Sequence, residues 1–218
     1  MERTKEILKR VLDHYEGGWR PEEPDPFRDL IRTILSQNTS YRNQRMAFER
    51  LEKEIGVDPR SLAEADISEI VSAIRPAGMF RQRAARIKEV AQLVSERYRG
   101  DLGSVLRKDF EEAREELMTL PGVGRKTADV LLLFSGGKKV IPIDRHIHRI
   151  ALRTGIAPGK ADYDEVRRRL EEAVEEDRYL DAHLFLIRFG REVCRARDPR
   201  CDSCFLQDIC PKLIAVVR

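Results

Sequence analysis

Four cysteines carry the densest chemistry in this 218-residue chain, and all of them follow residue 193. They run Cys194-x6-Cys201-x2-Cys204-x5-Cys210 and end at Pro211. Four thiolates within a 17-residue span can surround one metal centre, because short loops let the sulfurs converge. Gathered at one end, they do not form a disulfide framework distributed over a fold; in a reducing compartment such a group more often holds metal. A four-cysteine zinc knuckle usually shows two Cys-x2-Cys pairs, and only one is present. A thioredoxin-like motif would leave Cys194 and Cys210 without a role, and Phe205 rather than His follows Cys204, which excludes haem attachment. The spacing therefore favours a 4Fe–4S cluster, with zinc as the alternative. Between Arg188 and Arg200, five arginines stand against Glu192 and Asp198. That local positive excess suits compensation of an anionic cluster, a phosphate-facing patch, or both.

A second constellation surrounds Leu120-Pro121-Gly122-Val123-Gly124. Pro121 cannot continue a helix, and the two glycines permit backbone conformations closed to other residues. Such a turn leaves backbone N–H groups at the start of the next helix, where the dipole favours an anion such as a DNA phosphate. A tight connector between packed helices is the plain alternative. Gly-Arg-Lys-Thr is not a nucleotide P-loop, since Arg125 stands where Gly must precede the lysine. Lys126 falls in the first turn of the second helix, where the positive end disfavours an ammonium and makes the neutral amine more accessible. A neutral amine can attack a sugar C1′ and form a Schiff base. Alone, a lysine at this position equally suits a plain surface. Asp144 precedes a predicted helix and is expected to cap it. The same hydrogen bonds favour its ionised form, and an ionised carboxylate near Lys126 could stabilise oxocarbenium character at C1′.

The elements that must position these groups are helical throughout. Ile7, Leu8, Val11, Leu12 and Tyr15 form one apolar stripe, closed by Gly17-Gly18. Pro21, Pro24 and Pro26 mark a connector, with Asp25-Pro26 a cap and first position for a helix carrying Phe27, Leu30, Ile31, Ile34 and Leu35. A polar break at residues 36–40 precedes a helix with Phe48, Leu51 and Ile55; further stretches follow near 67–74 and 84–98. Next come a helix ending near Met118, the turn, and a helix through Phe134. Val140–Ile143 contains Pro142 and reads as an extended connector rather than a strand. Helices resume at 145–154, 163–176 and 179–194. The fold class is all-α.

Bulk properties restrain the partners. Charged residues make up 36% of the chain, yet the net charge is only +3, so nucleic-acid affinity must come from a local patch. Asn occurs only at 38 and 43, a compositional hint of a warm-living source. The N-terminus starts no apolar leader and no apolar run is long enough for a membrane span, so a cytoplasmic, nucleoid-associated monomer is expected.

Leu120-Pro-Gly-Val-Gly-Arg-Lys-Thr-Ala128, then Ile143-Asp144, His146-Ile147 and Arg149, then the cysteine spacing, together resemble the endonuclease III family of helix–hairpin–helix DNA glycosylases. The resemblance runs in order along nearly the whole chain. It implies two α-helical domains with DNA in the cleft between them: a helical barrel over residues 20–135 carrying the hairpin, and an iron–sulfur cluster domain from 1–19 with 136–218. Carried over by position, Lys126 is the Schiff-base lysine, Asp144 the catalytic aspartate, and Cys194, Cys201, Cys204 and Cys210 the ligands of the 4Fe–4S cluster. Gln37 matches the glutamine that fills the space left by an extruded nucleotide. Met79 falls where the family places an apolar wedge, core packing being its alternative. The remaining DNA contacts expected are Leu120, Gly122, Gly124, Arg125, Thr127, Arg145 and His146, while His148 is expected to be structural. Two departures stand out: Ser40 replaces an acidic residue and Arg145 a common Thr. The activity implied is a bifunctional glycosylase and apurinic/apyrimidinic lyase acting on oxidised pyrimidines in damaged double-stranded DNA. A mismatch-specific thymine or uracil glycosylase, or a non-catalytic DNA-binding iron–sulfur protein, are the alternatives.

Overall fold

The computed structural model describes residues 2–17 and 24–214, so Gly18 and Pro21 of the expected connector lie outside the described residues. Twelve α-helices occur among them and no strand. In chain order they are α1 (Glu2–His14), α2 (Pro26–Ser36), α3 (Tyr41–Glu54), α4 (Pro59–Glu64), α5 (Ile67–Ala73), α6 (Phe80–Tyr98), α7 (Gly103–Leu106), α8 (Phe110–Met118), α9 (Arg125–Phe134), α10 (Arg145–Arg153), α11 (Tyr163–Glu171) and α12 (Tyr179–Glu192). The chain divides into two compact units, Pro21–Lys138, and Met1–Arg20 together with Lys139–Arg218.

In the unit Pro21–Lys138, α2 starts as its sequence dictates. The Asp25 carboxylate accepts from the N–H groups of Phe27 and Arg28 at 3.0 Å, and Pro26 takes a first position that needs no donor. Its apolar stripe is fully inside: Leu30, Ile31, Ile34 and Leu35 are all at 0% exposure. Each such side chain stabilises the fold by about 1.5–3 kcal/mol relative to leaving it in water. Ser40 caps α3 by accepting from Asn43 N–H. The long α6 packs against α2, α4 and α5, and α9 against α2 and α8. A buried bidentate pair ties α8 to α9: Arg114 Nε donates to Asp129 Oδ1 at 2.7 Å and Nη2 to Oδ2 at 3.3 Å.

In the other unit, α1 and α10 pack with α12 around Ile7, Leu8, Val11, Ile147, Ile150, Phe185 and Phe189. Residues 139–144 form neither helix nor strand, in keeping with Pro142 within them. The helix expected over 163–176 stops at Glu171 instead. Glu171, Glu172, Glu175, Glu176 and Asp177 crowd its C-terminal end, where the helix dipole disfavours negative charge. Among the described residues no helix is long and apolar enough to cross a membrane.

Candidate functional site

The hairpin between α8 and α9 is closed by its own backbone. Leu120 N–H donates to Leu117 O at 3.0 Å, and Val123 N–H to Leu120 O at 3.1 Å. Leu120 and Val123 anchor it inward at 2% and 5% exposure, so the side chain of Leu120 is not at the surface where a DNA contact was expected. Thr127 is likewise buried. Gly122 has φ +78°, and a Cβ there would meet Arg86 Cδ at 2.2 Å. Gly124 differs: its φ of −96° and ψ of −179° suit any residue, so only one of the two glycines uses glycine's special freedom. A Cβ on Gly124 would meet nothing within 4 Å. Gly124 caps α9 with no side chain of its own, and the positive end of the helix dipole at this turn favours an anion. Arg125 is exposed at the first position of that helix and Lys126 is half-buried at the second.

Two further segments of the same unit carry Gln37 and Met79. Gln37 caps the C-terminus of α2, and its side chain is held at both ends: Nε2 donates to Gly122 O at 3.2 Å, and Arg86 Nη1 donates to Oε1 at 3.2 Å. Asn38 follows in the left-handed region at φ +52°. Met79 is also left-handed, at φ +47°, and 59% exposed, which removes core packing as its role. Arg83 lies behind both segments, donating to the carbonyls of Ile34, Leu35, Gln37 and Gly78. Burial holds its guanidinium below the usual arginine range, with Arg86 adding to the effect. Neither Arg83 nor Arg86 was expected from the sequence. The available signal was the position of Arg83 on the buried stripe of Ile87, Val90 and Val94.

In the other unit, Asp144 is the N-cap of α10, accepting from His146 N–H at 2.7 Å and Ile147 N–H at 2.8 Å. Arg145 is exposed, whereas His146 is half-buried with Nδ1 3.1 Å from Arg149 Nη2, which turns that ring edge inward. Burial pushes the His146 pKa down, opposed by Asp144 and aided by Arg149 and Arg191. His148 Nε2 lies 3.0 Å from Ala161 O, a structural contact. From the same helix, Arg149 donates to Gly190 O and Cys194 O, and Arg153 to Arg195 O and Ala196 O.

Those two arginines hold the start of the cysteine loop. Cys194, Cys201, Cys204 and Cys210 line one cavity with Phe189, Val193, Pro199 and Leu206. Burial pushes the thiols of Cys194 and Cys204 up, and Cys204 also feels the other three cysteines. Leu206 N–H and Lys212 N–H each donate to a sulfur two residues earlier, Cys204 and Cys210, at 3.4 Å. Amide donors, nearby guanidinium groups and an apolar wall fit thiolates bound to an iron–sulfur cluster.

Residues 31–176 match the model of the HhH-GPD superfamily of base excision DNA repair proteins, and residues 194–210 match the iron–sulfur binding domain of endonuclease III. Endonuclease III of Thermotoga maritima is 35% identical over 209 residues, covering 96% of this chain and 91% of the relative. Endonuclease III of Escherichia coli K12 is 33% identical, covering 85% and 83%. A solved endonuclease III–DNA covalent intermediate superposes with a TM-score of 0.82 at 28% identity, over 95% of this chain and 96% of that one. The chain therefore belongs to the endonuclease III family of helix–hairpin–helix base excision repair enzymes: it is a DNA-binding DNA glycosylase with a 4Fe–4S cluster in the region of its four cysteines.

Proposed function

We propose that this enzyme is bifunctional, excising oxidised pyrimidines from damaged duplex DNA and then cleaving the strand as a lyase, with Lys126 as nucleophile and Asp144 as its charged partner. The observation that carries this reading is Lys126 at the second position of α9, directly behind a glycine cap that offers no side chain. Phosphates docked on the hairpin through Gly122, Gly124 and Arg125 bring the sugar to the lysine without base preference. A damaged base leaves the stack at a cost of a few kcal/mol, smaller than for an intact pair. Met79 wedges the gap and Gln37 fills it, while Arg145 reaches the backbone and His146 backs the Asp144 turn. Leu120 and Thr127 contribute by anchoring the hairpin from inside, rather than through side-chain contacts.

The chemistry follows from two groups. The neutral Lys126 amine attacks C1′ as the base departs with the glycosidic electron pair, and Asp144 stabilises the positive charge that develops on the sugar. The departing base takes one proton from the nitrogen, whose lone pair then breaks the C1′–O4′ bond as O4′ takes a proton from solvent, leaving a protonated imine. Loss of a C2′ proton to solvent breaks the C3′–O bond and releases the 3′ phosphate by β-elimination. Cys194, Cys201, Cys204 and Cys210 would hold the cluster, whose bonds to the four sulfurs would tie together the loop from 194 to 210. We assign residues 20–135 as the barrel domain and 1–19 with 136–218 as the cluster domain, working as a monomer.

Borohydride reduction during turnover should trap a covalent enzyme–DNA adduct with the wild type and none with Lys126→Ala. Trapping that persists in Lys126→Ala sinks the assignment. A panel of duplexes carrying oxidised pyrimidines, or thymine and uracil opposite guanine, tests the substrate. Release confined to the mismatches would replace this reading with that of a mismatch glycosylase.

A further inference from the structure

Helix α6 carries Arg83 and Arg86 one turn apart, and together they reach three separate segments of their unit. Arg83 is 4% exposed and donates its guanidinium N–H groups to the backbone carbonyls of Ile34, Leu35, Gln37 and Gly78. Ile34, Leu35 and Gln37 belong to the C-terminal end of α2, where orphan carbonyls and the negative dipole end favour a cation. Gly78 begins the left-handed step into Met79. One side chain thus fixes the backbones that carry Gln37 and Met79.

Arg86 acts on side chain and hairpin instead. Its aliphatic stem passes beneath Gly122, so closely that a Cβ there would fall 2.2 Å from Cδ. Its Nη1 donates to Gln37 Oε1, and Gln37 Nε2 donates onward to Gly122 O. A donor on one side and an acceptor on the other fix which way the amide points. The contact is half-buried and leaves the end of α2 capped by Arg83, so what Arg86 governs is orientation more than folding.

We propose that Arg86, backed by Arg83, is a positioning residue for opening the duplex: it holds the Gln37 amide against the hairpin so that glutamine, wedge and phosphate grip meet DNA in one fixed register. This rests on the reading of Gln37 as a residue that enters the duplex. Ordering these parts before binding lowers the entropy lost on the duplex.

The test uses the full, cluster-loaded enzyme and a duplex with a tetrahydrofuran abasic analogue opposite 2-aminopurine, whose fluorescence rises on unstacking. Arg86→Met keeps the stem beneath Gly122 and removes the donor. It should lose most of the fluorescence rise, while affinity for the same duplex falls less than about threefold, since phosphate contacts dominate affinity. Gln37→Ala should lose the rise to the same degree, and the double variant should be no worse than either single one. Arg86→Lys, which keeps a cationic donor on a similar stem, should recover part of the rise even if Arg86→Met unfolds more easily. A full rise in Arg86→Met with a loss in Gln37→Ala, additive losses in the double variant, or no recovery in Arg86→Lys would each overturn the proposal. A full rise in Gln37→Ala overturns the underlying reading of Gln37, and the proposal with it. Base release and borohydride trapping are read separately, so failure of the substrate assignment leaves this result intact.

Discussion

At the scale of residues, the hairpin's two glycines separate folding from binding. Gly122 occupies the left-handed region and sits on the stem of Arg86. Gly122→Ala adds backbone strain and a clash, and should cost about 2 kcal/mol or more in denaturant unfolding. Gly124 has ordinary dihedrals and open space where a side chain would go. Gly124→Ala should therefore cost less than about 1 kcal/mol, the modest loss expected when alanine replaces a better N-cap residue without a clash. Its added methyl would stand between a phosphate and the amides at the start of α9. Affinity for duplex DNA, followed by fluorescence anisotropy, should fall severalfold in Gly124→Ala. If that variant loses stability but binds normally, the hairpin is a connector and not a phosphate grip. The cysteines were legible at this scale because residue type and spacing define them, whereas residue type alone left Lys126 equally suited to a plain surface. The inward turn of Leu120 was not, since an apolar residue beside a Pro-Gly step has no spacing that tells core from surface.

At the scale of elements, a buried ion pair keeps the helices flanking the hairpin together. Arg114 and Asp129 are 7% and 0% exposed, with two parallel N–H···O bonds across α8 and α9. Replacing Asp129 with Leu leaves a buried guanidinium without its carboxylate, and should cost about 3–5 kcal/mol of unfolding free energy. A cost below about 1 kcal/mol, the range of an exposed pair, would show that the pair does not clamp the motif. Local chemistry made much of the framework readable in advance. Asp25-Pro26 and Asp144 signalled helix starts because a cap is decided within four residues, and both caps are present. Helices α4 and α7 went unseen, being too short at six and four residues for apolar periodicity to register. Ser40, read as a departure near the expected substrate site, also has a local role as the cap of α3. The buried arginines were the least legible. Apart from Gly78, which is near Arg83 in the chain, Arg83, Arg149 and Arg153 find their partners in carbonyls 41 to 49 residues away, which only the packed helices bring to them.

For the whole molecule, electrostatics links stability to acidity through a few local groups, one of them on the helix that Asp144 caps. A net charge of +3 gives no strong overall field, so local groups decide how folding responds to pH. His146 is the most informative of them. It follows the Asp144 cap, meets Arg149, and so stands on the helix that reaches the cysteine loop. Burial lowers its folded pKa; Arg149 and Arg191 act in the same sense, while Asp144 and the Gly190 carbonyl oppose them. A histidine whose pKa falls on folding binds fewer protons folded than unfolded just below the ordinary value of about 6.5, so stability rises with pH there. Its contribution is complete above that value and is lost as pH falls through it toward the folded pKa. Asp58, Asp66, Asp101 and Asp208, whose pKa values are lowered, act further down. Their stabilisation is present above the ordinary aspartate value and disappears as pH falls below it. The thermal midpoint should therefore decline from pH 7.5 to 5.5 and fall more steeply below pH about 4. His146→Gln keeps a polar side chain without the titration, so it should flatten the first decline and leave the second. An unchanged slope between pH 7.5 and 5.5 in His146→Gln would assign that decline to other groups and remove His146 as the link between acidity and the Asp144 helix.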